Sequence, residues 1–92
     1  MTPAQMPIGA VFLAQSGSTW GIWVRDEYNL SLLVSSKHGG DSGITTYLGP
    51  SWGHCCTVLS DEHADAIRML IALEPKPQAA IVMMLTMQGI LR

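Results

Sequence analysis

The sequence predicts a single small α+β domain over residues 1–92, with an antiparallel sheet of four or five strands, one amphipathic helix packed on it and a second, C-terminal helix. Three observations carry that expectation. Short alternating apolar runs, separated by glycine and polar turns, recur from Ile8 to Leu59. Ser60 opens a stretch whose apolar residues recur at three- and four-residue spacing. A chain of 92 residues has room for one modest core and no more.

Met1 to Pro7 contains two prolines and is expected to be an extended arm. Ile8 to Gln15 reads as a first strand, Ser16-Gly17-Ser18 as a hairpin connection, and Thr19 to Asp26 as a second strand. In the second strand Trp20, Ile22 and Val24 share one face, and Gly21, Trp23 and Arg25 take the other. Trp20 is therefore assigned to the core, and Trp23 beside Arg25 to a half-exposed face. Asn29 closes a turn, and Leu30 to Ser35 is a third strand with Leu30, Leu32 and Val34 in register for the core. These three strands form a meander.

Residues 36–43 follow as a flexible, glycine-rich loop whose short polar side chains have nothing to bury. Ile44 to Leu48 is a short fourth strand, and Gly49-Pro50-Ser51-Trp52-Gly53 a turn that holds a large aromatic between breakers. From His54 to Leu59, His54, Cys56 and Val58 face one side while Cys55, Thr57 and Leu59 face the other. Both sides are largely apolar, which predicts a central strand.

Ser60 supplies a helix-capping hydroxyl, and Asp61, Glu62 and Asp65 place negative charge at the positive end of the new helix dipole. Ala64, Ile67, Leu70 and Ile71 form the stripe that packs on the sheet, widened by Met69 and Leu73, with Asp65, Arg68 and Glu74 left in water. Pro75 and Pro77 stop this helix. Gln78 to Leu91 is read as a second helix, because Pro77 suits a first helical position and Ala, Met, Leu and Gln favour the conformation. Its apolar residues run all round, so burial on more than one side is expected.

Composition narrows the function classes. Only 13% of residues are charged, against roughly 25% in typical soluble domains, while 48% are hydrophobic. A domain this small is expected to turn some of that apolar area toward another chain, either a larger protein partner or a second copy joined through residues 78–91. The basic residues Arg25, Lys37, Arg68, Lys76 and Arg92 are scattered, so no phosphate-binding stripe forms and nucleic-acid binding is not expected. The N-terminus lacks the basic and long apolar regions of a secretory signal. Pro77 to Leu91 is 15 uncharged residues, short of the ~20 apolar residues a membrane span needs. The only cysteines, Cys55 and Cys56, are adjacent, which suits two reduced thiols and a cytoplasmic setting.

Gly40-Asp41-Ser42-Gly43 resembles the nucleophile tetrapeptide of chymotrypsin-like serine proteases. Those enzymes look like paired barrels more than twice this length, with a distant upstream His and Asp, whereas the upstream histidine here is His38. His38-Gly39-Gly40 resembles a lipase oxyanion loop, but no nucleophile elbow follows. Asp61-Glu62 is explained by the helix start. No enzyme and no cofactor are expected on this basis.

The leading expectation is a small non-enzymatic protein-binding module, of the inhibitor or adaptor kind common in bacterial and phage genomes, that occludes a site on a larger partner. Its binding residues are expected to be Trp52, Trp23, Arg25, Tyr47 and His38, since exposed aromatics and arginine dominate binding hot spots. The alternative is a zinc or small-ligand site built from His38, His54, Cys56 and His63, a donor mixture zinc accepts. A third expectation is a structural homo-oligomer subunit.

Overall fold

A computed structural model describes residues 5–38, 44–47 and 55–91. Its elements are β1 (Val11–Ser16), β2 (Thr19–Arg25), β3 (Asn29–Ser35), β4 (Thr45–Tyr47), β5 (Cys55–Val58), α1 (Asp61–Leu73) and α2 (Gln78–Met87). The strands form one five-stranded sheet in the order β4-β3-β2-β1-β5, every neighbouring pair antiparallel. The α+β class, the β1–β2–β3 meander and both helices are those expected from the sequence.

Each face of this sheet carries a buried cluster. On one, Val11, Leu13, Trp20, Ile22 and Val34 pack with Leu59, with Ala64 and Ile67 of α1 and with Ile81 and Leu85 of α2. On the other, Met6, Phe12, Ala14 and Leu30 form a second cluster, with Ala10, Trp23 and Cys56 against it. The alternation of β1 divides its side chains between the two, so Val11 and Leu13 look at the helices while Phe12 and Ala14 look away.

Local backbone chemistry sets the strand ends. The first strand starts at Val11 and not at Ile8, because Pro7 to Ala10 is a tight turn closed by the Ala10 N–H donating to the Pro7 carbonyl at 3.1 Å. Gly9, at φ +88°, takes the left-handed position this turn requires. The Gly9 N–H donates to the Arg25 carbonyl and the Arg25 N–H to the Ala10 carbonyl, so two residues oppose one in a glycine-type bulge. Of the expected extended arm 1–7, residues 5–7 are described, and Met6 among them is buried. Ser16 pairs with Thr19 across the Gly17-Ser18 turn, where Gly17 at φ +59° gives the twist two-residue hairpins need.

β3 departs from simple alternation. Ile22 pairs with Val34 but Trp23 pairs with Leu32, so the register shifts by one residue at Leu33. Leu30 and Val34, expected on one core face, are thereby buried on opposite faces. Only Ser36–His38 of the 36–43 loop fall among the described residues; there the Ser35 hydroxyl accepts from the Lys37 and His38 N–H groups.

The expectation of a central strand at residues 54–59 is corrected. Among the described residues β5 pairs with β1 alone and lies at the sheet edge, its Val58 44% exposed. Its two apolar faces reflect the two clusters, Cys56 contributing to one and Leu59 to the other, and not a pair of flanking strands.

α1 begins where expected, with the Ser60 hydroxyl accepting from the His63 N–H at 3.2 Å. Ala64 and Ile67 are buried and Leu70 and Ile71 half-buried, but Met69 and Leu73 are exposed and do not widen the stripe. At 100° per residue Met69 lies about 160° and Leu73 about 120° round the helix from Ile67, so both point away from the buried stripe. In α2 the Pro77 carbonyl accepts the first helical bond, from the Ile81 N–H at 3.0 Å. The helix ends at Met87 and not at Leu91. Gly89, at φ +71°, donates to the Thr86 carbonyl while the Ile90 N–H reaches the Leu85 carbonyl, a Schellman ending.

Because the two clusters lie on opposite faces, substitutions in them should act independently. Ile67→Val and Phe12→Leu are each expected to cost about 0.5–1.5 kcal/mol in urea unfolding, and the double variant the sum within about 0.5 kcal/mol. A coupling well above that would mean that the faces share a packing unit.

Candidate functional site

Sequence spacing put Trp23 and Arg25 on one strand face, and the fold keeps them there, turned inward. Trp23 is half-buried against the Met6, Phe12, Ala14 and Leu30 cluster. Its indole leans along β2 over Gly21, where an added Cβ would lie 2.8 Å from the Trp23 Nε1. Arg25 is also half-buried, and its Nη1 donates to the Met6 carbonyl at 2.7 Å. The Arg25 Nε is buried with no hydrogen-bond partner among the described residues. The guanidinium thus ties the chain at Met6 to the end of β2.

His38 is exposed just after β3. Tyr47 occupies the last position of β4, its backbone paired with Asn29, and its side chain lies outside the described residues. Trp52 and His54 also lie outside them. For the zinc alternative, the fold separates the donors it describes. Cys56, which is not disulfide-bonded, packs on the Phe12 face, while His63 sits in the first turns of α1, the helix that covers the opposite face. Among the described residues no three His, Cys, Asp or Glu side chains come together in a group that could hold a metal ion.

The surface that the sequence pattern did not single out is the outer side of the helical layer. Ile81 and Leu85 of α2 are completely buried, whereas Met83 is 65% and Met87 79% exposed. Four residues apart, these methionines stand one above the other as a ridge along the helix. A groove runs on each side. One, of about 640 Å³, is walled by Trp20, Ser36, Val82 and Thr86; the other, of about 370 Å³, by Leu70 of α1 with Ala80 and Met84. Met83 and Met87 line both. Met69 at 63% and Leu73 at 72% exposure add apolar area on the solvent side of α1.

The expectation that α2 is buried on several sides is therefore corrected. One layer, the sheet with α1 beside it, covers Ile81, Leu85 and their flanks and leaves the opposite side open. The apolar residues of α2 are spread round its axis, so their periodicity marks no buried side.

Comparison with protein-family models, with curated proteins and with solved structures finds no match for this chain. Its chemistry is argued from its own surface. None of the described side chains walling the two grooves is ionisable near neutral pH, so these offer shape and polarizable apolar contact, not proton transfer. No described helix is long and apolar enough to cross a membrane.

The contrast between the two sides of α2 is measurable. Met83→Lys and Met87→Lys should each change unfolding stability by less than about 0.5 kcal/mol, whereas Ile81→Ala should remove about 2–5 kcal/mol. On β2, Gly21→Ala should lower stability by about 1–3 kcal/mol by pushing the Trp23 indole off its packing position, with a shift in tryptophan fluorescence.

Proposed function

We propose that this domain is a small non-enzymatic protein-binding module whose docking surface is the outer face of its helical layer. The observation that supports this most is the pair Met83 and Met87, 65% and 79% exposed on a helix with no charged residue. Exposed contiguous apolar surface is kept on a folded domain where another protein covers it, and methionine suits such a surface because its unbranched thioether adapts to the shape it meets. The partner is a protein surface that presents an uncharged apolar ridge or helix, since the described groove walls carry no charged side chain. Trp23 and Arg25, bound to the domain's own N-terminal segment, serve packing on this reading and not docking. The adjacent cysteines keep a cytoplasmic setting part of the proposal.

Position-specific cross-linking tests it. A photo-reactive residue placed at position 83 or 87, in cells of the organism the chain comes from, should give discrete protein adducts that the same residue at exposed Glu27 does not. An absence of adducts, or one common pattern from all three positions, would overturn the assignment of this face.

A further inference from the structure

The α2 face has the shape, charge and size of a surface made to meet itself. A two-fold contact requires one surface to supply both knob and hole, since each patch meets its own copy. Here the Met83–Met87 ridge lies between two grooves, the larger of about 640 Å³ and the smaller of about 370 Å³, and helix surfaces pack by seating ridges in grooves. Charge usually opposes self-contact, because like faces like. All five basic and seven acidic residues of the chain lie outside Gln78–Leu91, so two such segments meet without that repulsion. Opposed in direction, the two helices also align their dipoles favourably.

Size decides how strong the contact is. At roughly 100 Å² for each large apolar side chain, Met69, Leu73, Met83 and Met87 with the groove walls offer on the order of 400–500 Å² per copy. Two copies would bury about 800–1,000 Å², below the ~1,200–2,000 Å² of stable complexes and in the range of weak, exchanging ones.

We propose that the occupant of this face is a second copy of the chain. The α2 helices pack antiparallel about a two-fold axis, with Met83 of each copy beside Met87 of the other. The inference rests on the docking-face reading and names its partner. The dimer is weak, populated at high concentration and lost on dilution.

The test is sedimentation equilibrium of the full chain from roughly 1 to 500 µM, a range that brackets a weak contact of this size. Wild type should shift from monomer to dimer within it. Met83→Lys and Met87→Glu, each confirmed as folded by circular dichroism, should each weaken dimerisation at least tenfold. An equimolar mixture of the two should restore it, because the ammonium introduced by Met83→Lys in one copy then meets the carboxylate introduced by Met87→Glu in the other. A wild-type chain that stays monomeric throughout overturns the second-copy assignment. A dimer indifferent to both substitutions places self-contact elsewhere, and a dimer lost in each variant but not restored by mixing overturns the antiparallel register. Failure of this inference is distinguishable from failure of the docking face itself. Monomeric protein that still gives cross-links at 83 and 87 to a chain of different mass keeps the face and changes the partner; monomeric protein without such cross-links removes both.

Discussion

The structure depends on the burial of β1 from both sides. Val11, Phe12, Leu13 and Ala14 are four consecutive residues, none more than 6% exposed, so the strand cannot sit on an open sheet with one wet face. Burying side chains such as Phe12 and Leu13 is worth about 1.5–3 kcal/mol each, and it is realised only if both faces are covered. The helices cover one. The other is closed in part by Met6, Ala10, Trp23 and Cys56, which draws the N-terminal segment back across the sheet. The low charge of the chain follows in part from this arrangement, since a sheet with two dry faces uses apolar residues at successive positions.

Three irregularities make that arrangement possible. The bulge at Gly9 turns the chain so that Met6 lies over the Phe12 face and its carbonyl meets the Arg25 guanidinium. The register shift at Leu33 sends Leu30 to that face while Val34 stays under the helices. Gly21 leaves space for the Trp23 indole to lie along the strand. Together they place an aromatic–arginine pair with the composition of a binding hot spot against the domain's own N-terminal segment.

The candidate site was less legible than the fold. Residue types associated with recognition, namely tryptophan, arginine and histidine, drew attention to Trp23, Arg25, His38 and the His–Cys set. Yet Trp23 and Arg25 face inward, and Cys56 and His63 belong to opposite faces. The methionines that do stand in the open belong to a residue type equally at home in a core, so nothing at Met83 or Met87 distinguishes them from Ile81 or Leu85 until α2 is placed on the sheet. Residues 78–91 were expected to be a candidate subunit contact; in the dimer proposed above, the exposed Met83–Met87 ridge is the surface that makes it.

What the sequence by itself determined is what short-range chemistry controls. Ser60 and the acids after it start α1, Pro75 and Pro77 separate the helices, Gly17 turns the first hairpin, and the alternation in β2 sorts Trp20 and Ile22 from Trp23 and Arg25. The Schellman stop at Gly89 is equally local, but the helix expected from the sequence ran past that glycine to Leu91. The tertiary structure alone decided that β5 lies at an edge, that β3 divides its leucines and valine between two faces, and that α2 hides Ile81 and Leu85 while leaving Met83 and Met87 in water. Capping, turns and periodicity act within a few residues of the chain. Which apolar surface is left uncovered depends instead on how distant segments divide the available contacts among themselves.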